Sequence, residues 1–273
     1  MLDVFDPDEA DSPMVVEVPH AGTMLPAPWA TGILTDATSV LRDADSFVDE
    51  LVLDAPSAGA ALLRANVSRH VLDLNRSRDE YDGQAVEGAP AHLCLPHGLI
   101  WHTNSQGDPL MRAPISEADA QSRIRAIYDP YHAELERLMR RSLDRNGVAL
   151  VLAVHSMPSH GANRKGLPRR ADVVPGTQNF TSATPSLIKI VEEWARGEGL
   201  TLSHDDPYRG GWVTKLWGRP GLNCHAIQLE FCRDLYMDEA TLERNSGKLQ
   251  ALRASCATLM KRLSGAARLL AKH

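Results

Sequence analysis

The sequence predicts an α/β fold: a mostly parallel or mixed sheet with helices on both faces. Three observations lead there. Apolar runs of strand length alternate with segments of helical period along the chain. Two of the runs, residues 14–18 and 148–154, are apolar almost throughout and read as buried strands. Each leads into a histidine, His20 or His155, followed by small residues. In an open α/β sheet the carboxyl ends of strands form the edge where ligands bind.

Taken in order, residues 14–18 form the first strand, and a Pro/Gly loop runs from His20 to Pro28. Residues 46–55 read as a helix entered from an acidic turn, with Asp45 or Ser46 as its cap. Residues 61–67 and 70–74 read as two strands, and 77–115, rich in Gly, Pro and His, as a long irregular region. The clearest helix is 116–145. Ser116-Glu117-Ala118-Asp119 resembles a capping box, and Ile124, Ile127, Tyr128, Tyr131, Leu135, Leu138 and Met139 give one apolar face. Pro130 should kink it or split it, and Asn146-Gly147 ends it. The strand 148–154 follows, then a loop over 156–170 and a short strand over 171–174. A helix over 185–196, a turn-rich stretch over 205–221 and a strand over 224–231 come next. The terminal helix spans 237–272 and breaks near Ser246-Gly247.

With 273 residues, 43% of them hydrophobic, the chain can bury a substantial core, and no shift in composition marks a boundary, so residues 1–273 read as a single domain. The net charge of −6 and the lack of a basic stripe argue against nucleic acid as partner. Arg164-Lys165 with Arg169-Arg170 is a short basic cluster on a solvated loop. No run approaches the roughly 18 apolar residues of a membrane span, and the acidic start is unlike a signal peptide. Cys94, Cys224, Cys232 and Cys256 are scattered without zinc-ribbon spacing and read as reduced thiols of a cytoplasmic protein. There is no phosphate-binding loop and no nucleophile-elbow serine.

Four groups of residues can carry chemistry. A buried, hydrogen-bonded histidine is the commoner fate of either His20 or His155 alone. Both at strand ends, with a nearby carboxylate, make a three-ligand site with one open position, the usual form of a catalytic zinc centre. The carboxylate comes from Arg42-Asp43-Ala44-Asp45: Asp45 is favoured as ligand, and Asp43 is the alternative or orients a ligand histidine from behind. Asn75 and Arg76, ending the predicted strand 70–74, can grip a substrate carboxylate, and Arg69 opens the same stretch. Surface ion pairs with Asp73, Asp79 and Glu80 are the competing use of these arginines. Glu230 is acidic in an apolar strand and shares a face with Gln228. Beside zinc it suits a general base, and otherwise it marks a solvent-facing edge strand.

These pieces, in this order, resemble the N-formylglutamate amidohydrolase family: Pro19-His20-Ala21-Gly22, Asp43-Ala44-Asp45, Ser68-Arg69 through Asn75-Arg76, Gly98-Leu99-Ile100-Trp101, His155-Ser156-Met157, and Gln228-Leu229-Glu230 with Leu235-Tyr236-Met237. The resemblance spans residues 19–237. It implies a three-layer α/β/α fold related to zinc carboxypeptidases and aspartoacylases, and a zinc-dependent hydrolase that cleaves N-formyl-L-glutamate to formate and glutamate in histidine breakdown. By that likeness His20 and His155 are zinc ligands, Glu230 is the general base, Asn75 and Arg76 hold a substrate carboxylate, and Arg69 polarises the scissile carbonyl. The substrate is then a small acidic N-acyl amino acid, and the enzyme a monomer or small homo-oligomer. Thr23 stands where the carboxypeptidase relatives carry a glutamate ligand, so the carboxylate comes from elsewhere, with Asp45 the choice. Ser46-Phe47 stands where histidine-pathway members have an aromatic-His pair, which leaves another N-acyl amino acid as an alternative substrate. A non-enzymatic binding module for an acidic small molecule and a carboxypeptidase-like peptidase are the competing functions.

Overall fold

The computed structural model describes residues 1–8, 12–81, 83–89, 97–161 and 168–270. Cys94 and the pair Arg164-Lys165 lie outside them, as do Lys272 and the end of the expected terminal helix. The chain forms two compact units of interleaved segments. One comprises Met1–Asp3, Pro19–Ser46 and Ala65–Glu134, and the other Val4–Val18, Phe47–Arg64 and Leu135–His273.

The elements in order are β1 (Leu2–Phe5), β2 (Met14–Val18), α1 (Ala27–Ala30), α2 (Ala37–Asp43), β3 (Ala61–Ala65), α3 (Glu117–Arg123), α4 (Asp129–Asn146), β4 (Ala149–Met157), β5 (Val173–Gly176), α5 (Pro185–Gly197), α6 (Trp212–Trp217), β6 (Cys224–Cys232), β7 (Met237–Asp238), β8 (Glu243–Arg244) and α7 (Ser246–Leu270). The six-stranded sheet has the order β1-β3-β2-β4-β6-β5. β2 pairs parallel with β3 and β4, β4 pairs parallel with β6, and β5 joins β6 antiparallel. This is the mixed, mostly parallel α/β sheet that the alternation predicts. β4 and β6 are buried along all nine of their residues, so both faces of the sheet are covered. In the larger unit α5 turns Leu187, Ile188, Val191, Trp194 and Ala195 inward. The Trp194 indole packs edge-on against Phe231 of β6, and its Nε1 donates to the Ser255 hydroxyl of α7 at 2.8 Å. Among the described residues no helix is long and apolar enough to cross a membrane.

Several elements differ from the sequence reading, each for a local reason. The helix expected over 46–55 is replaced by α2, which begins earlier because the Asp36 side chain accepts from the Ser39 amide at 2.7 Å. Phe47 has a φ of 62°, which interrupts any helix there, and only a short 3-10 turn, Asp49–Val52, follows. Ser46 therefore caps no helix start; its hydroxyl donates back to the Leu41 carbonyl at 2.9 Å. The turn-rich stretch 205–221 contains α6, and the terminal helix starts only at Ser246, after the β7–β8 hairpin. The Asn245 side chain caps that start by accepting from the Lys248 amide at 3.1 Å.

The strand expected over 70–74 is not a strand. The smaller unit explains why. Arg123 donates to the Val71 carbonyl at 3.0 Å, His132 Nε2 to the Leu74 carbonyl at 3.0 Å and the Tyr128 hydroxyl to the Arg76 carbonyl at 3.0 Å. Side chains of one continuous helical stretch thus satisfy carbonyls that a sheet ladder would otherwise need. The stretch is the predicted helix 116–145, capped by the Ser116 hydroxyl accepting from the Asp119 amide at 3.2 Å. It runs through α3 and α4 with a π-helical turn, Ile124–Tyr128, between them. Pro130 lies two residues beyond that turn without ending the helical run, and Gly147, with a φ of 70°, ends it.

Burial pushes the His132 imidazole down from 6.5 to about 4. The folded protein thus holds this ring neutral while the unfolded chain takes up a proton near 6.5. Its contribution to stability is present above that pH and is lost as pH falls through the window down to about 4. Urea denaturation of the protein and of His132→Gln across this window tests it. The native chain should lose on the order of 3 kcal/mol more than the variant, and parallel curves would refute the assignment.

Candidate metal and catalytic site

His20 follows β2 by two residues, and its loop is held against the chain near Asn66. A Cβ on Gly22 would lie 2.3 Å from the Asn66 carbonyl carbon, so only glycine allows this approach. The Met24 amide donates to the Asn66 carbonyl at 2.9 Å, and the Asp45 amide donates to the His20 carbonyl at 2.9 Å. His20 and Asp45 are therefore tied together by backbone before their side chains meet.

The His20 ring has two different sides. Nε2 lies 2.7 Å from Asp73 Oδ1. A carboxylate accepts, so Nε2 carries the proton and Nδ1 holds the lone pair. Nδ1 faces Asp45 Oδ2 at 3.6 Å and also touches the Arg69 guanidinium. His155, on β4, completes the group: one ligand atom each from His20, Asp45 and His155 lies within 4.8 Å of the others, and all three residues are buried. Two imidazoles and a carboxylate are a donor set suited to zinc, and the tautomer that Asp73 imposes is the one a metal ligand needs.

The competing reading of the arginines places Asp73 in surface ion pairs. It is instead 2% exposed and the hub of the smaller unit. Besides His20 it accepts from the Asn75 amide at 2.9 Å and from Trp101 Nε1 at 3.2 Å. Sequence reasoning missed both its role and that of Trp101. The available signal was a carboxylate between Leu72 and Leu74, a costly place for an unpaired charge.

Arg69 donates to the Asp43 carbonyl at 3.3 Å, lies 3.9 Å from Asp45 Oδ1 and stacks 5.3 Å above the Trp101 ring. Arg76 Nε lies 3.9 Å from Asp73 Oδ2, with the side chain about one-third exposed at 36%. Asn75 is buried. Because 70–74 is no strand, strand alternation does not govern where these residues point; Arg69 reaches toward Asp43, Asp45 and Trp101, and Arg76 toward Asp73.

Asp43, the alternative ligand, is engaged elsewhere. Its carboxylate accepts from His70 Nε2 at 2.8 Å, from the Ser105 amide at 3.0 Å and from the Ser105 hydroxyl. Burial alone would raise its pKa, but these hydrogen bonds prevail and hold the carboxyl below the usual range. The histidine that Asp43 orients is thus His70, while Asp73 orients His20.

In the larger unit, β4 extends to Met157, so His155 lies within the strand and pairs in register with Glu230 of β6. Register neighbours on parallel strands project to the same face, roughly 4.8 Å apart along the ladder. β6 is flanked by β4 and β5 and Glu230 is 6% exposed, which rules out an edge strand. One Glu230 oxygen accepts from Gln228 Nε2 at 2.8 Å. Next to His155, the Ser156 hydroxyl accepts from Arg233 Nε at 3.1 Å.

A sequence model of the N-formylglutamate amidohydrolase family matches residues 12–237. A protein named N-formylglutamate deformylase from Pseudomonas aeruginosa is 30% identical over 256 residues, covering 92% of each chain. One of the same name from Pseudomonas putida is 29% identical over 235 residues, covering 83% of this chain and 82% of that one. The crystal structure of N-formylglutamate amidohydrolase from Ralstonia eutropha JMP134 superposes with a TM-score of 0.89 at 31% identity, covering 98% of each chain.

Replacing Asp73 by Asn should leave the chain folded but let His20 choose the wrong tautomer. Zinc affinity, measured by competition with a chromophoric chelator, should fall about 10–100-fold. Unchanged affinity would show that the His20–Asp73 contact has no bearing on metal binding.

Proposed function

Because the chain belongs to the N-formylglutamate amidohydrolase family, we propose that it hydrolyses N-formyl-L-glutamate to formate and glutamate, using a zinc ion held by His20, Asp45 and His155. An amide hydrolase, rather than a non-enzymatic binding module, is what this membership implies. The observation that carries the zinc assignment is the buried His-Asp-His group, three protein ligands that leave a coordination position open. When bound, zinc supplies a Lewis acid that acidifies water and polarises a carbonyl.

The chain's own residues do the rest. Glu230, in register with His155, takes a proton from the attacking water and returns it to the leaving nitrogen as the C–N bond breaks. Water thus adds its oxygen to the formyl carbon, and the amine leaves with the proton. Arg69, steadied by Trp101 and the Asp43 carbonyl, donates to the carbonyl oxygen as it gains charge; one good donor of this kind contributes about 3–4 kcal/mol. Asn75 and Arg76, fixed beside Asp73, hold a carboxylate of the glutamate part. The reaction belongs to histidine breakdown. The buried free thiols of Cys224, Cys232 and Cys256 support a reducing, cytoplasmic setting.

Glu230→Gln should keep near-stoichiometric zinc yet lose roughly 10²–10⁴-fold in kcat. An active, zinc-loaded variant would remove Glu230 as the base. Chelation should abolish turnover of the native enzyme and added zinc restore it. Arg76→Ala should raise KM for N-formyl-L-glutamate at least tenfold with a smaller change in kcat. An unchanged KM would argue against the carboxylate clamp. Assays on C-terminal peptides should show no turnover if the peptidase alternative is wrong.

A further inference from the structure

We infer that His97 is a further substrate-binding residue: its Nε2 lone pair accepts the N–H of the scissile amide, so the site selects an N-acyl amino acid over the corresponding ester. The inference deepens the reading of the protein as a formyl-amino-acid hydrolase and rests on it. It gives a use to the residue that leads into the Gly98-Leu99-Ile100-Trp101 motif.

Two contacts within the smaller unit fix the ring. Its centroid lies 4.3 Å from that of the Trp101 ring, with the planes tilted by 42°. It also forms a hydrogen bond with the Asn104 backbone that favours the protonated ring, so the imidazole donates and the Asn104 carbonyl accepts. Nε2 is buried and has no hydrogen-bond partner among the described residues, so the donor is Nδ1. With the proton on Nδ1, the neutral ring carries its lone pair on Nε2. Asn104 is itself held. Its Nδ2 donates to the Ser39 hydroxyl and to Asp108 Oδ2, each at 3.0 Å. Its Oδ1 accepts from the Gln106 and Asp108 amides at 2.9 and 2.8 Å. A backbone carbonyl thus sets the tautomer of His97 as Asp73 sets that of His20, with the two nitrogens exchanged.

The surroundings also set its charge. Burial is the largest influence and lowers the imidazole below its ordinary 6.5, and the Arg76 charge acts the same way. The Asn104 bond and the charges of Asp43 and Asp73 oppose them and do not prevail. Near neutral pH, Nε2 is an acceptor.

The neighbours of His97 belong to the proposed site. Arg76 and Asp73 act on the ring through their charges, and Trp101 also packs with Arg69, whose guanidinium lies 5.3 Å from the indole centroid. Arg69 and Arg76 can only donate, which suits the carbonyl and carboxylate oxygens of N-formyl-L-glutamate. That molecule has a single donor near neutral pH, its amide N–H. The His97 lone pair therefore has one substrate group to meet. In a trans amide the N–H and C=O point in opposite directions, so Arg69 on the oxygen and His97 on the N–H do not compete. A buried acceptor left unmatched costs binding energy, which is how an analogue without the N–H is refused.

The test compares N-formyl-L-glutamate with its oxygen counterpart, the formate ester of L-2-hydroxyglutarate, on the zinc-loaded enzyme. The ester keeps both carboxylates and the formyl carbonyl and lacks the N–H. His97→Phe keeps a ring against Trp101 and removes the acceptor; His97→Leu serves where the phenylalanine variant fails to fold. Either should lower kcat/KM for the amide about ten- to a hundredfold and for the ester less than about threefold, with zinc content unchanged. The ratio of the two losses cancels the intrinsic reactivity of the ester. His97→Gln retains an acceptor oxygen at the reach of Nε2 and should recover most of the amide activity. Equal losses on both substrates would mean that His97 packs Trp101 or meets a carboxylate, and would overturn the inference. Should the native enzyme hydrolyse no N-formyl amino acid at all, the functional reading fails first, and the role of His97 with it.

Discussion

The site depends on one buried carboxylate. Asp73 lies between two leucines, and burying an unpaired charge there would cost several kcal/mol. It is tolerable because donors converge on it from three directions: His20 Nε2, the Asn75 amide and Trp101 Nε1. Each of these contacts also has a use. The first selects the His20 tautomer with the proton on Nε2 and the lone pair on Nδ1. The second fixes the backbone of the Asn75-Arg76 pair. The third sets the indole plane on which Arg69 lies. A single electrostatic requirement thereby orders His20, the Asn75-Arg76 pair and Arg69, the residues proposed as metal ligand, carboxylate clamp and carbonyl-polarising cation.

That arrangement needs the segment around Asp73 to hold still without belonging to a sheet. The Asp73 amide donates to the Leu99 carbonyl at 2.8 Å, and the helical stretch through α3 and α4 supplies the remaining partners. Arg123, Tyr128 and His132 each reach one carbonyl between residues 71 and 76. The π-helical turn at Ile124–Tyr128 shifts the phase of the helix between the first of these side chains and the other two. Its position is intelligible as the place where helix geometry gives way to a requirement of the loop it supports.

What the sequence disclosed depended on how local the governing forces were. β2 over 14–18 and the buried runs of β4 and β6 were legible because a strand covered on both faces must be apolar. The capping residue Ser116 and the stop at Gly147 were legible because a cap acts within a few residues. The segment 70–74 was misread for the opposite reason. Its apolar residues do pack inward, but its backbone pairs with side chains some fifty positions away, and no periodicity records that. Asp43 and Asp45 look equivalent as a sequence pair; only the partners His70 and Ser105, distant in the chain, set them apart. The role of Asp73 was hidden likewise, because its three donors are scattered over residues 20–101.

The two halves of the proposed chemistry are positioned by different means, and the difference explains where the clamping side chains occur. His155 and Glu230 stand on adjacent parallel strands, and the ladder itself fixes their separation. What the ladder leaves undetermined is rotation about the side-chain bonds, and for Glu230 the Gln228 amide donates to one carboxylate oxygen at 2.8 Å. His20 and Asp45 stand on irregular segments, where no ladder fixes the backbone. There the chain uses a backbone hydrogen bond from Asp45 to His20, a glycine at 22 that permits close approach, and Asp73 behind the ring. The hydrogen bonds around loop-borne His20 thus do for its position what the strand ladder does for the backbone of His155.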